Sequence, residues 1–239
     1  MNLLLVDRTE LAGDTVVVRD RRAEHVRTVI GAKVGTTLRA GVIGGELGSA
    51  EVIADDGTAI ELRLALTEPP SAPLPIDVVL AVPRPKVVTR VVEAVAAFGI
   101  ARLDLTNAWR VDKSYLKSPR LAPDALAHAA RLGAEQGATT HLPAIDVHPR
   151  LMPLIGTFTG PGLRLIAHPG APPIEAAFGE ARPITLAIGP EGGWIAREVE
   201  TFVACGFQPV SLAAGILRVE TAVAAALGQL LLLLRNGLK

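Results

Sequence analysis

Near its C-terminus the chain twice runs from a short apolar strand through a glycine-bearing loop into a helix. The first passage is Leu186-Ala187-Ile188-Gly189-Pro190-Glu191-Gly192-Gly193-Trp194; the second is Leu212-Ala213-Ala214-Gly215-Ile216-Leu217-Arg218-Val219-Glu220-Thr221-Ala222. Strands that end this way put two backbone-rich loops on one side of a sheet, where they can face a single small ligand. Gly189, Gly192 and Gly193 lack a Cβ and let main-chain groups approach closely, while Pro190 stiffens the turn. Such loops offer amides and carbonyls rather than a nucleophile. A ligand-free turn explains one loop; the pairing of two favours a cofactor site.

The rest of the chain falls into two rhythms. Up to about residue 68, short β-prone runs (Thr15 to Val18, Thr37 to Val42, Glu51 to Ile53, Ala59 to Leu66) alternate with glycine turns, as in a small barrel or sandwich. The segment Glu68-Pro69-Pro70-Ser71-Ala72-Pro73-Leu74-Pro75 then removes backbone donors and favours extended geometry, so a boundary is expected there, giving units 1–70 and 71–239. Beyond it strands alternate with helices: Ile76 to Val82, Lys86 to Phe98, Arg102 to Thr106, Asp124 to Glu135, Leu163 to Ala167, Ile184 to Ile188, Ala196 to Cys205, Pro209 to Leu212 and Val219 to Leu234. That order predicts an α/β unit, a parallel sheet with helices on both faces.

Several classes of chemistry are disfavoured. There is no G-x-x-x-x-G-K and no G-x-G-x-x-G, which argues against triphosphates and dinucleotides; no G-x-S-x-G elbow occurs either. Five histidines without ligand spacing and a single cysteine, Cys205, point to no metal site and no internal disulfide. With no secretory pattern at the start, a cytoplasmic protein is expected. The apolar run Val219 to Leu234, broken by Glu220, Thr221 and Gln229, falls short of a membrane span and reads as a buried helix. Being apolar nearly all round, it needs cover on more than one side, which a second copy would supply.

Charge is uneven beneath a net value of zero. Residues 84–131 carry nine Lys or Arg against four acids, while residues 1–70 carry eight against eleven. Any polyanion site therefore centres on the middle segment, although on charge alone a solvated helix face is the favoured reading.

Taken together in this order, Ile188-Gly189-Pro190-Glu191-Gly192-Gly193 and Leu217-Arg218-Val219-Glu220-Thr221-Ala222 resemble the ribosomal RNA small-subunit methyltransferase E (RsmE) family of the SPOUT superfamily. The likeness covers nearly the whole chain, with His25-Val26-Arg27 and Val34-Gly35 similar to the N-terminal PUA-like domain and Glu135-Gln136 with Pro143 similar to the end of a middle helix. It implies a small PUA-like β-barrel followed by a trefoil-knotted parallel sheet that dimerises across the knot. It also implies S-adenosylmethionine as cofactor and methyl transfer to N3 of a uridine in small-subunit (16S) ribosomal RNA.

On that resemblance the cofactor is held by His168, by Ile188, Gly189, Pro190, Glu191, Gly192 and Gly193, and by Leu212, Gly215 and Leu217. Arg218 is the expected catalytic cation and Glu220 the weaker catalytic candidate, which a structural role at a helix start explains as well. Trp194 suits either base stacking or the core. RNA contacts are expected from Arg27, Arg84, Lys86, Arg110, Lys113, Lys117 and Arg120. The chain departs from the family at Gly31, at Pro85 within Arg84-Pro85-Lys86-Val87, at Ala97, and at Gln136-Gly137-Ala138-Thr139. These departures fall mainly on presumed RNA or interface positions and spare the cofactor loops. Two other readings stay open: a non-catalytic RNA- or ribosome-binding relative, and an unrelated nucleotide-binding enzyme.

Overall fold

The computed structural model describes residues 2–179 and 182–236. Their strands form two six-stranded sheets. The first comprises β1 (Leu4–Val6), β2 (Leu11–Ala12), β3 (Thr15–Val18), then, after helix α1 (Arg21–His25), β4 (Thr37–Val42), β5 (Leu47–Asp55) and β6 (Ile60–Glu68). It runs in the order β1-β4-β5-β6-β3-β2, antiparallel except for β1 beside β4. Alternation sends Val16, Val18, Val52, Ile60 and Leu62 to one side, where they pack on Ala23 and Val26. The sheet is curled and barrel-like. Gly31, one of the departures, ends the helical turn after α1 in the left-handed region, φ 69°, a conformation an arginine would adopt only with strain.

The second sheet is entirely parallel, in the order β12-β10-β11-β7-β8-β9. Its elements run β7 (Leu74–Ala81), α2 (Pro85–Phe98), β8 (Ile100–Thr106), α3 (Pro123–Gly137), β9 (Ala144–His148), α4 (Leu151–Ile155), β10 (Leu163–Ala167), α5 (Ile174–Ala177), β11 (Ile184–Ile188), α6 (Ala196–Ala204), β12 (Gln208–Val210) and α7 (Val219–Asn236). Every residue of β11 and of Val78 to Ala81 is buried, so helices must cover both faces. α2 packs on α3 and α7, and α4 packs on α6.

Four details differ from the sequence expectations. The proline segment does not keep β7 from starting at Leu74: Pro75 lies within this central strand, at a register irregularity between Leu74 and Asp77 that dispenses with its missing donor. Strand β9 is unheralded because it is a largely exposed edge with a polar-interrupted sequence. It is locked by side chains: Asp104, 1% exposed, takes His148 Nε2 at 2.6 Å and two bonds from Arg102, whose guanidinium also reaches Asp146 at 2.7 Å. The short strand β1 was also missed. Finally, α7 has 18 residues of mean hydropathy 1.2, long and apolar enough to cross a membrane, contrary to expectation. Its buried residues Val219, Ala222, Val223, Ala226, Leu227, Leu230 and Leu234 nevertheless recur at helical spacing against the sheet and α2.

The two sheets meet at the end of α3. Glu135, 1% exposed, accepts Arg21 Nη1 and Nη2 at 2.8 and 2.7 Å, and its carbonyl accepts the amides of Asn2 and Leu3 at 3.0 Å each. Leu3, Leu5 and Leu47 pack there on Ala134. α3 also approaches α2 at van der Waals limits, since a Cβ on Gly133 would meet Glu93 O at 2.1 Å and one on Gly137 would meet Ala97 O at 2.3 Å. The departures at Ala97 and Gly137 are thus one feature, two small residues at a close helix crossing. Gly133→Ala should destabilise the chain by about 3 kcal/mol, the upper end of overpacking costs, read as a lowered denaturation midpoint at unchanged slope; an unchanged midpoint would mean the crossing relaxes freely.

Candidate functional site

All six strands of the second sheet run the same way, so the segments leaving β10, β11 and β12 emerge on one side. Between them, the start of α2 and the turn after β8 lies a cleft of roughly 830 Å3. Its walls include His168 from the first segment, Ile188 to Trp194 from the second, and Leu212, Gly215, Leu217 and Arg218 from the third. Arg84, Arg90 and Arg110 stand at its edge, and Glu220 lines it from the first turn of α7.

Main-chain bonds join the first and third segments. His168 N donates to Val210 O at 2.9 Å, Ser211 N to Pro172 O at 2.8 Å and Ile174 N to Ser211 O at 3.2 Å, so the segment after β12 runs against the one after β10. Gln229 Nε2 then bonds Leu212 O at 2.8 Å, which accounts for the amide interrupting an apolar helix. The glycine loop turns through Gly193 N to Pro190 O at 2.8 Å with Gly193 at φ 71°, a left-handed position suited to glycine. A Cβ on Gly189 would meet the Trp194 ring at 3.3 Å.

Charged side chains fasten this loop from outside. Glu191 Oε1 accepts Arg84 N at 3.0 Å, and Arg110 Nη1 donates to Gly192 O at 2.5 Å. Glu198 was not among the residues singled out from the sequence. At 3% exposed it accepts Ile195 N at 3.0 Å, capping α6, and Trp109 N at 2.8 Å, joining the turn after β8 to the loop after β11. The only advance signal was its place three residues after Ile195, where an acid serves a helix start.

The cofactor-loop residues chosen from the sequence all line this one cleft. Arg218 is exposed there and has no side-chain partner among the described residues, whereas Glu220 stands 4.0 Å from Arg90. Trp194 is 7% exposed and stacks edge-on against Phe202, so it is a wall of the core. The basic candidates separate. Arg84 and Arg110 border the cleft; Lys86, Lys113, Lys117 and Arg120 are exposed outside its lining, with Arg120 Nη1 bonded to Thr89 Oγ1 at 3.3 Å. Arg27, in the helical turn after α1, is committed to Asp55 of β5 through bonds of 2.6 to 3.0 Å, which hold that carboxyl below its ordinary range. No group of three or more His, Cys, Asp or Glu arranged to hold a metal is found among the described residues.

A family model described as an RNA methyltransferase domain matches residues 70–231. The chain belongs to this family. The ribosomal RNA small subunit methyltransferase E of Treponema pallidum is 29% identical over 95% of this chain and 89% of its own length. The protein of that name from Synechocystis is 27% identical over 75% of this chain and 60% of its length. Among solved structures, the Neisseria gonorrhoeae ribosomal RNA small subunit methyltransferase E bound to S-adenosyl methionine superposes with a TM-score of 0.81 at 20% identity, covering 98% of each chain. A putative methyltransferase of Legionella pneumophila, in complex with the same cofactor, gives 0.79 at 22% identity over 96% of each chain. The resemblance drawn from the two C-terminal motifs is borne out, and so is the expected α/β class, a barrel-like β-rich unit followed by a parallel sheet with helices.

Glu198→Ala would strip two amides of their buried acceptor at once. We expect a loss of about 2–6 kcal/mol of stability by denaturant titration, from about 1–3 kcal/mol for each of the two unsatisfied groups; a loss under about 0.5 kcal/mol would mean that water replaces the carboxylate there.

Proposed function

We propose that this chain transfers the methyl group of S-adenosylmethionine to N3 of a uridine in small-subunit (16S) ribosomal RNA. The observation that carries the reading is the cleft bounded by three strand-end segments, in a chain whose family is the RNA methyltransferases. Its residues fit the cofactor. The volume lies within the range of small-molecule sites, and Trp194 Nε1 is a buried donor left without a partner in the wall. The edges are main chain and apolar side chains such as Ile188, Leu212 and Leu217, as a purine requires. His168, the loop from Ile188 to Gly193, and Leu212, Gly215 and Leu217 would hold it.

When bound, S-adenosylmethionine supplies a methyl on a positively charged sulfur, reactive enough that the protein needs no covalent partner. What the chain must do is align the incoming ring nitrogen, exclude water and offset the charge that develops as the N3 proton leaves. Arg218 suits the last task. It lines the cleft with its charge uncommitted among the described residues, while Arg110 is bonded to Gly192 O and the Arg84 guanidinium stands 4.0 Å from Glu191. Glu220, close to Arg90, is better placed to orient the start of α7 than to accept a proton. Arg84, Lys86, Arg110, Lys113, Lys117 and Arg120 form the RNA-facing surface around the cleft; Arg27, already paired, contributes from beside the first sheet.

The knot and the dimer belong to the same reading. Strand β12 lies at the sheet edge, yet α7, which follows it, packs on α2 and β11 after the connecting segment has run against residues 168–174. That path supports a threaded chain. Leu232, 58% exposed on α7, supports a second copy as its cover. Residues 1–70 are assigned to RNA as a PUA-like domain and the whole to the cytoplasm, where its substrate is made.

Calorimetric titration with S-adenosylhomocysteine tests the cofactor directly, and absence of binding would sink the reading. With methylation of ribosomal RNA as the assay, Arg218→Ala should lower kcat a hundredfold or more, on the order of 3 kcal/mol of transition-state stabilisation, with cofactor affinity within a few fold; unchanged turnover would remove Arg218 from the chemistry. Lys113→Glu combined with Lys117→Glu should weaken RNA binding and reduce its slope against log salt by about two. Equal slopes would place the RNA elsewhere.

A further inference from the structure

The chain has two tryptophans, and their environments are opposite: Trp194 is walled into the cleft, while Trp109, in the turn after β8, is 79% exposed. Exposed in this way, the indole leaves a large, flat aromatic face open to a partner. Its backbone, moreover, is firmly held. Trp109 N is bonded to the buried carboxylate of Glu198, Val111 N closes the turn on Ala108 O at 3.1 Å, and the next side chain, Arg110, is bonded to Gly192 O of the glycine loop. The indole therefore stands on a perch fastened to the same loop that lines the cleft.

Its surroundings indicate what it meets. Arg110, Lys113 and Lys117 follow in the same segment, all exposed, and the intervening carboxylate of Asp112 is occupied by Ser114 N at 2.8 Å. A ring beside cations is the composition of surfaces that hold single-stranded nucleic acid, where bases stack on aromatic faces and phosphates meet Lys and Arg. It differs from the core of a subunit interface, which is depleted of lysine. The exposed leucine that invites a second copy is on α7, a different element.

We propose that Trp109 is a stacking platform for an unpaired RNA base flanking the one that enters the cleft, so that the enzyme takes its substrate as single-stranded rather than helical RNA. Helical RNA keeps its base faces stacked on one another and offers none to a side chain. The inference rests on the RNA methyltransferase reading and adds to it the form of the substrate. Glu198 then acts as a positioning residue, setting the platform relative to the glycine loop.

The test uses the intact protein and a single-stranded, uridine-containing RNA of about ten nucleotides, with the same sequence annealed to its complement as a second probe. Titration of wild type with the single strand should quench tryptophan emission, and the duplex should not. Trp109→Phe should bind within about threefold of wild type with the quenching gone, since phenylalanine still stacks and Trp194 is buried. Trp109→Ala should bind about tenfold more weakly or worse, with S-adenosylhomocysteine affinity unchanged within twofold and the near-ultraviolet dichroism of a folded protein. Quenching that persists in Trp109→Phe, equal RNA affinity in Trp109→Ala, or a fall from dimer to monomer in that variant by sedimentation would each overturn the platform. If wild type binds S-adenosylhomocysteine but neither RNA, the ribosomal RNA reading fails as well; if RNA binding is intact and indifferent to Trp109, only the platform fails.

Discussion

The cleft depends on one set of main-chain bonds, those that draw residues 210–211 against residues 168–174. Without them β12 would remain an edge strand of three residues, and the segment after it would have no reason to pass beside the glycine loop. With them, three strand ends that are far apart in sequence present amides, carbonyls and small side chains to a common space. Because these segments leave a parallel sheet whose strand β11 is buried along its whole length, the site is preformed. A methyl transfer that relies on alignment more than on covalent chemistry suits such a rigid seat.

A second layer of charged residues ties that seat to the segments around it. Glu191, Arg110 and Glu198 each spend a charge on a main-chain group of another segment. Charge-assisted bonds of this kind are stronger than neutral ones and fix orientation. The result is that the start of α2, the turn after β8 and the glycine loop move as one. Arg218 is the exception, a cation in the cleft that serves no neighbour among the described residues.

The small residues at the α2–α3 crossing show how a departure from a family pattern keeps its physical sense. Ala97 and Gly137 touch, and Gly133 lets α3 lie on the carbonyl of Glu93. The same helix then delivers Glu135 to Arg21 and to the amides of residues 2 and 3, which seats the first sheet. Local compactness on one side of α3 thus sets the relation of the two sheets on the other.

By itself the sequence determined the elements whose signals are local. Apolar runs bounded by proline or glycine marked β7, β10 and β11, strand–helix alternation marked α2 and α3, a long apolar run marked α7, and the two C-terminal passages marked the loops of the cleft. Elements and roles that depend on distant partners were illegible. β9 is a polar edge made into a strand by His148, Arg102 and Asp104, and Pro75 is tolerated in a central strand only because the register shifts there. Nothing in the local pattern distinguished the two tryptophans or singled out Glu198, since burial and hydrogen-bond partners are properties of chain segments brought together from many residues apart. Tertiary structure decided those, because only the folded sheet brings strand ends, and the charges that pin them, within bonding distance.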